Sequence, residues 1–117
     1  MTVAHARDIP SQPVKAGQDT SIQVLLQGPN FIMRRFTMLP GGSMPEHTNT
    51  VEHEQYVLQG QARISVAGTE VDVQAGDVVF IPEGVPHWYR NRGEEDFVFL
   101  CIIPNKPDEI KIIADGC

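Results

Sequence analysis

The sequence lacks several features, and each absence excludes a class of protein. None of its apolar runs approaches the roughly 20 residues of a membrane helix, and its start lacks the apolar core of a signal peptide. A cytoplasmic protein without membrane contact is therefore expected. Two cysteines are too few for a disulfide framework. Nine scattered Lys and Arg against fifteen Asp and Glu, a net charge of −6, argue against a nucleic-acid partner, which needs clustered basic residues.

Short β-prone runs fill most of the chain. Its 117 residues predict one domain over 1–117, with an irregular arm over about residues 1–20 and a barrel over about 21–113. Strand-like runs recur at intervals of roughly 8 to 12 residues with turn residues between them, and no helix is convincing. This pattern predicts an all-β sandwich or barrel.

Turn residues and apolar runs give four local predictions of strands and turns. A second strand over residues 31–39 is expected to be broken by Pro40-Gly41-Gly42. Residues 62–66 and 70–73 are expected to pair as a hairpin. The continuous apolar run 78–81 predicts a buried strand. The tail over residues 108–113 is either a short strand or a helical turn.

Histidine is scarce and concentrated. Of the four histidines, His47 and His53 lie in GGSMPEHTNTVEHEQYVLQG, and His87 lies in GDVVFIPEGVPHWYRN. Imidazole is the commonest metal-ligating side chain, so this concentration is the first indication of a metal site.

The spacing of these segments resembles that of a known superfamily. The first segment matches the spacing G-x5-H-x-H-x3-4-E-x6-G and the second G-x5-P-x-G-x2-H-x3-N, the two motifs of the cupins. The first segment departs from its motif at Asn49, in place of the second histidine, and at His53, in place of the glutamate. The likeness is closer to small, single-domain manganese-type cupins with a four-histidine site. It is carried by PNFIMRRFTMLPGG, EHTNTVEHEQYVLQG and FLCIIP, from about residue 29 to 104. The resemblance implies a double-stranded β-helix, a small jelly-roll barrel.

The resemblance also implies a ligand set. It consists of His47, His53 and His87, with Asn49 as a weak fourth donor in the position of the usual second histidine. Such donors bind divalent Mn, Fe, Co, Ni, Cu or Zn. Three protein ligands leave positions open for water, O₂ or substrate. The alternative is a degenerate barrel that has lost its metal.

Other residues are candidates for a substrate pocket. In the similar family the positions of Phe99 and Cys101 line the metal pocket, and that of Arg34 points into the barrel. Gln55 shares the strand parity of His53, so it is expected on the same face. The alternatives are plain core for Phe99 and Cys101, and an exposed strand arginine for Arg34.

Three residues are candidates for proton transfer. Glu52 and Glu54 border His53. Either carboxylate is a candidate acceptor for an imidazole N–H or a general base, and Glu54 is also a reserve metal ligand. Tyr89 is expected to face inward with His87.

Two functions remain open at this point. The first is a metal-dependent enzyme of dioxygenase, other oxidoreductase or isomerase type, acting on a small organic molecule. The second is a non-catalytic small-molecule or metal-binding module. The resemblance also implies a homodimer, for which Tyr56, Leu58 and Trp88 are candidate interface residues.

Overall fold

Strands make up nearly all of the regular structure. The computed structural model describes residues 1–113. Within this range one 3-10 helix, Ala6–Asp8, precedes ten strands: β1 (Gln12–Pro13), β2 (Gln18–Gln27), β3 (Phe31–Thr48), β4 (His53–Gln59), β5 (Gln61–Val66), β6 (Thr69–Gln74), β7 (Val78–Ile81), β8 (His87–Arg90), β9 (Phe97–Pro104) and β10 (Lys111–Ile112). No helix in this part of the chain is long and apolar enough to cross a membrane.

The strands form one curled antiparallel sheet. Its main path runs β6-β5-β8-β3-β9-β4-β7, with β2 and β10 also paired to β3, and β1 paired to β2. The long strand β3 pairs with β9 along its first half and with β8 along its second half, so it belongs to both halves of the barrel. The predicted double-stranded β-helix is confirmed.

The break expected at Pro40-Gly41-Gly42 is wrong. Strand β3 continues through these residues, but it changes partner there, because pairing with β9 ends at Met38 and pairing with β8 begins at Ser43. Gly41 has a φ of +83°, a conformation that glycine adopts without strain. The Pro-Gly-Gly segment thus bends the strand from one half of the barrel into the other.

The predicted hairpin is confirmed. Strand β5 pairs with β6 across Ala67 and Gly68, which have φ angles of 53° and 82°. Positive φ at both central residues matches a two-residue turn whose twist suits a hairpin. In the tail, residues 111–112 form strand β10 and pair with β3, which decides between the two alternatives given for that segment. Cys117 lies outside the described residues.

Val78–Ile81 form the predicted strand, but the prediction that this strand is buried is wrong. This strand, β7, ends the main path of the sheet, and Val78 and Phe80 are 74% and 57% exposed. Only Ile81 is fully buried, and Val79 is half-buried. A continuous apolar run does not distinguish a strand buried on both faces from one that leaves an apolar face uncovered. The result is an apolar patch, Val78 and Phe80, beside exposed Tyr56 on β4.

Stacked aromatic rings line one side of a cavity inside the barrel. In β9 the four alternate residues Phe97, Phe99, Cys101 and Ile103 are buried, as their shared strand face predicts. The Phe99 ring stacks on Phe36 at 5.0 Å and on Tyr89 at 5.3 Å between ring centroids. Stacked rings of this kind give the cavity beside them a rigid side.

Candidate functional site

Three strands bring the three imidazoles together. His47 lies near the end of β3 and pairs in register with His87, the first residue of β8. Their ring centroids are 4.2 Å apart. His53 begins β4, and its ring centroid lies 5.6 Å from that of His87. The two sequence segments therefore meet at one point, with the His87 ring central and 1% exposed.

Backbone carbonyls fix the orientation of two of these rings. Nδ1 of His47 lies 2.7 Å from the Pro45 carbonyl oxygen, and Nδ1 of His87 lies 2.9 Å from that of Val85. A carbonyl only accepts, so each Nδ1 carries the hydrogen and leaves Nε2 with a free lone pair. A carbonyl on the second ring nitrogen is the usual support of a metal-ligating histidine.

Three buried polar atoms at this point have no hydrogen-bond partner among residues 1–113. They are Nε2 of His53, Nε2 of His87 and Oδ1 of Asn49. Buried polar atoms are nearly always satisfied in native proteins, so a cluster of orphans indicates a missing ligand or ion. His87 Nε2 and Asn49 Oδ1 carry free lone pairs, and His53 Nε2 carries one in the tautomer that places its hydrogen on Nδ1, facing the Cys101 sulfur. This is the donor chemistry of a divalent transition metal.

The three imidazoles are nevertheless not placed at metal-binding distances from one common point. Among residues 1–113 no group of three or more His, Cys, Asp or Glu side chains is arranged so that it could hold a metal ion. Metal–nitrogen bonds of about 2.0–2.1 Å are needed for Zn²⁺, for example. The donor set fits a metal in chemistry, and binding requires the rings to draw together from these positions.

Burial keeps the imidazoles neutral. It lowers the pKa of His47, and it lowers the pKa of His53 to about 3 and that of His87 to about 4. The positive charge of Arg34 lowers the pKa of His53 further. Neutral imidazole is the form that coordinates metals, so the site is in its ligating state at neutral pH.

The histidines lie at the polar part of a cavity of about 410 Å³. Four of the predicted pocket or proton-transfer residues line it: Arg34, Gln55, Tyr89 and Phe99. The Tyr89 hydroxyl accepts a hydrogen bond from Gln55 Nε2 at 2.7 Å. Burial raises the pKa of Tyr89 above its ordinary value, so this phenol stays protonated.

Arg34 lies in the cavity wall and forms no ion pair with an acidic residue among residues 1–113. Its Nη2 donates to the Cys101 sulfur at 3.2 Å, and its Cζ lies 5.1 Å from the Phe36 ring centroid. Nε of Arg34 is buried without a partner. The ion pairs of Arg63 with Glu70 and Asp72 involve other strands and do not reach the cavity. The alternative of a fully exposed strand arginine is wrong.

Cys101 lies behind the cavity wall. It is completely buried and does not line the cavity, which corrects the prediction that it does. Its sulfur lies 3.2 Å from His53 Nδ1 and 3.6 Å from Gln55 Nε2. Burial raises the pKa of this thiol, so it contacts both side chains as a neutral group.

The proton-transfer roles predicted for Glu52 and Glu54 are wrong. Both side chains are exposed, and neither lines the cavity. Alternate strand residues point to opposite faces, so the burial of His53 in β4 puts Glu54 outside. A hydrogen bond with Glu52 raises the pKa of Glu54, and the two carboxylates interact at the surface instead.

Sequence comparison now identifies the family. The Cupin domain family matches residues 34–103, which is more than half of the chain. The chain belongs to the cupins. The matched segment contains all three clustered histidines and Asn49.

Three relatives of this cupin have names that indicate a function. The oxalate-binding protein of Thermotoga maritima is 34% identical over 73 residues, 62% of this chain and 60% of that protein. Oxalate decarboxylase OxdC of Bacillus subtilis is 36% identical over 70 residues, 55% of this chain and 18% of that protein. The match spans less than two thirds of either relative. The structure of the polyketide cyclase RemF from Streptomyces resistomycificus superimposes with a TM-score of 0.89 and 27% identity, over 97% of this chain and 86% of that one.

Both ends of this cupin supply cavity residues that sequence reasoning missed. The arm that was expected to be irregular lines the cavity with residues 13–17, and the tail lines it with Ile110 and Ile112. Asp108 of the tail hydrogen-bonds Asn49. No local pattern marks these residues, because each reaches the site through contacts with strands far away in sequence.

The neutral, buried imidazoles predict that the metal-free cupin loses stability in mild acid. The folded pKa values of His53 and His87, about 3 and about 4, lie below the ordinary value of 6.5. Unfolded chains therefore bind more protons as pH falls from about 6.5 to 4. Each of the two histidines lowers the free energy of unfolding by up to about 1.4 kcal/mol for each pH unit in this range. Urea unfolding in EDTA at pH 7, 6 and 5 measures this decrease in the free energy of unfolding.

The double variant His53→Gln/His87→Gln is expected to show a shallower pH dependence than the wild type. His5→Gln, which changes the remaining histidine outside the cluster, serves as the control and keeps the wild-type slope. Equal slopes in all three proteins would contradict the assignment of the depressed pKa values.

Proposed function

We propose that this cupin binds a divalent transition metal through His47, His53, His87 and Asn49, and acts on a small organic molecule held in the adjoining cavity. The observation that carries the proposal is the cluster of three buried, unpartnered donor atoms on the cavity wall. Such a metal, when bound, supplies Lewis-acid polarisation of a substrate oxygen. In this proposal three imidazoles and one amide oxygen take the places of the four histidine ligands of the manganese-type cupins that the sequence resembles.

The cavity favours an apolar organic anion as the ligand. A volume of about 410 Å³ lies in the range of sites for small organic molecules, and an ion as small as oxalate would leave most of it empty. Phe36, Tyr89 and Phe99 line the cavity as a stack of aromatic rings, which suits a ligand with an apolar or aromatic body. Arg34 offers a guanidinium without a carboxylate partner, which suits a ligand carboxylate or phenolate.

The relatives support the same ligand class from two directions. The likeness to a polyketide cyclase supports a polyketide-type ligand. The likeness to an oxalate-binding protein supports an anion. We propose that the ligand combines both properties, as an aromatic or polyketide-type acid.

The chain's own residues would orient and protonate such a ligand. Arg34 binds its acidic group at the polar part of the cavity, while the stacked rings hold its body. The Tyr89 hydroxyl accepts from Gln55 and keeps its own hydrogen available for a ligand oxygen. With Glu52 and Glu54 outside, Tyr89 is the candidate proton donor that remains.

A second candidate function is a binding module without turnover. One observation favours it: no carboxylate among the described residues lines this cavity, so a conventional carboxylate base is missing from its wall. The relative described as an oxalate-binding protein supports this alternative.

Ligand binding to metal-loaded protein tests the proposal and separates the two functions. Hydroxynaphthoate is expected to bind, with affinity measured by calorimetry, and oxalate to bind more weakly. Arg34→Met should weaken hydroxynaphthoate binding about 10- to 100-fold, since a hydrogen bond to a charged group contributes about 1.5–3 kcal/mol. The methionine keeps an apolar stem against Phe36.

Arg35→Met is the matched control, because Arg35 does not line the cavity, and it should leave the affinity unchanged. Oxygen uptake and mass spectrometry of the mixtures then distinguish enzyme from binding module. Failure of every metal form to bind any aromatic acid would contradict the proposed ligand class.

The predicted homodimer and cytoplasmic location stay predictions. Exposed Val78 and Phe80 on the edge strand β7, with exposed Tyr56 on the neighbouring β4, offer a dimer surface, because uncovered apolar sheet edges favour association. Trp88 is less available than expected, since it is half-buried and Arg90 stacks over its ring at 4.7 Å.

A further inference from the structure

The tail after β9 forms part of the site. Strand β10 pairs with the end of β3, with Ile112 opposite His47, and the Ile113 amide donates to the Glu46 carbonyl at 2.8 Å. Ile110 and Ile112 line the cavity. The family match ends at residue 103, so this closure is supplied by a segment outside the matched domain.

Asp108 ties this tail to the segment between β3 and β4. One carboxylate oxygen accepts from Asn49 Nδ2 at 2.9 Å. The other accepts from the Thr50 amide at 2.9 Å and from its hydroxyl at 3.4 Å. The same hydroxyl accepts from the Glu109 amide at 2.8 Å. The result is a closed set of hydrogen bonds around one carboxylate, 59 positions from Asn49 along the chain.

The carboxylate decides which end of the Asn49 amide faces the site. An ionised carboxylate only accepts hydrogen bonds, so the amide nitrogen must face Asp108. The amide oxygen must then face the other way, where it is buried without a partner. An asparagine without this contact could present either its nitrogen or its oxygen, and the nitrogen of an amide does not ligate a metal.

We propose that Asp108 is a positioning residue that holds the amide oxygen of Asn49 toward the imidazole cluster as a fourth ligating atom. This inference rests on the proposed metal site. It explains how a chain with asparagine at the position of the usual second histidine retains a fourth donor. Asp108 itself is not proposed as a ligand, because it does not line the cavity and its two oxygens face Asn49 and Thr50.

The isosteric variant Asp108→Asn tests this role. The new amide nitrogen would face Asn49 and favour a turned Asn49 amide with its nitrogen toward the cluster. Co²⁺ affinity, measured by calorimetry, should fall about 10- to 100-fold, the usual loss when a supporting partner of a ligand is removed. The d–d absorption spectrum of the Co²⁺ protein should change, because one oxygen donor is lost.

Two further variants control the experiment. Glu109→Gln removes the same charge from the same tail, with an exposed side chain, and should bind Co²⁺ as the wild type does. The exchange Asn49→Asp/Asp108→Asn restores a donor facing an acceptor and again leaves an oxygen toward the cluster. It should recover at least the wild-type affinity and an oxygen-ligated spectrum.

Each result has one meaning. Weaker Co²⁺ binding by Asp108→Asn together with a changed d–d spectrum, both restored in the exchanged pair, supports the positioning role. Weaker binding with an unchanged spectrum overturns it, because the charge of Asp108 also acts on His47 and His87 and its loss alone weakens cation binding. Unchanged Co²⁺ affinity and spectrum in Asp108→Asn overturn it while leaving the metal site intact, even if the metal-free variant melts earlier. Absence of Co²⁺ binding by the wild type overturns the proposed metal site itself, and the positioning role with it.

Discussion

Replacing His87 by glutamine is expected to lower the affinity for divalent transition metals by more than about 100-fold, beyond the loss typical of a supporting residue. His87 is the central ring of the cluster, within 4.2 Å of the His47 ring and 5.6 Å of the His53 ring. Its Nε2 is buried without a partner. Equilibrium dialysis with elemental analysis measures the loss.

The remaining histidine provides the control for this experiment. His5 lies at the start of the 3-10 helix, where its ring accepts from the Arg7 amide, outside the cavity. His5→Gln should bind metal as the wild type does. If His87→Gln and His5→Gln retain the same metal content, the assignment of the cluster as the metal site is wrong.

The second large effect is on stability, at Gly60 between β4 and β5. Gly60 has a φ of +77°, and an added Cβ would strike the carbonyl oxygen of Asp96 and lie 3.1 Å from Cα of Phe97. These are backbone atoms, so they cannot move aside without disturbing β9. Gly60→Ala should lower the free energy of unfolding by roughly 2 to 6 kcal/mol, the sum of backbone strain and overpacking.

Gly68→Ala is the matched control for Gly60→Ala. Gly68 has a similar φ of +82°, but an added Cβ there meets nothing within 4 Å. Only the strain of the left-handed conformation remains, about 1 to 2 kcal/mol. Urea unfolding of both variants separates the two contributions, and equal losses would contradict the crowding at Gly60.

Much of the fold was predictable because glycine and proline mark its turns. The Ala67-Gly68 hairpin and the fixed spacing around His47, His53 and His87 are local features that a sequence displays directly. Strand parity also places Phe97, Phe99, Cys101 and Ile103 on one face of β9, which is the buried one. The same parity placed Glu54 opposite to His53, so a signal against its role was present in the sequence.

The failures have a common physical cause. The Pro-Gly-Gly segment bends β3 because two partner strands, β8 and β9, hold it on either side, and neither is near it in sequence. The exposure of Val78 and Phe80 depends on β7 lying at a sheet edge. Asp108 reaches Asn49 only because the tail returns to β3. Local patterns cannot specify such long-range neighbours.

The most direct test of the metal site is anomalous diffraction from crystals of Co²⁺-loaded protein, with data collected at the cobalt absorption edge. The account predicts one strong peak, about 2.0–2.3 Å from Nε2 of His47, His53 and His87, with the Asn49 amide oxygen as the fourth protein ligand. A map without a peak at these histidines, or with cobalt bound only elsewhere on the protein, would contradict it.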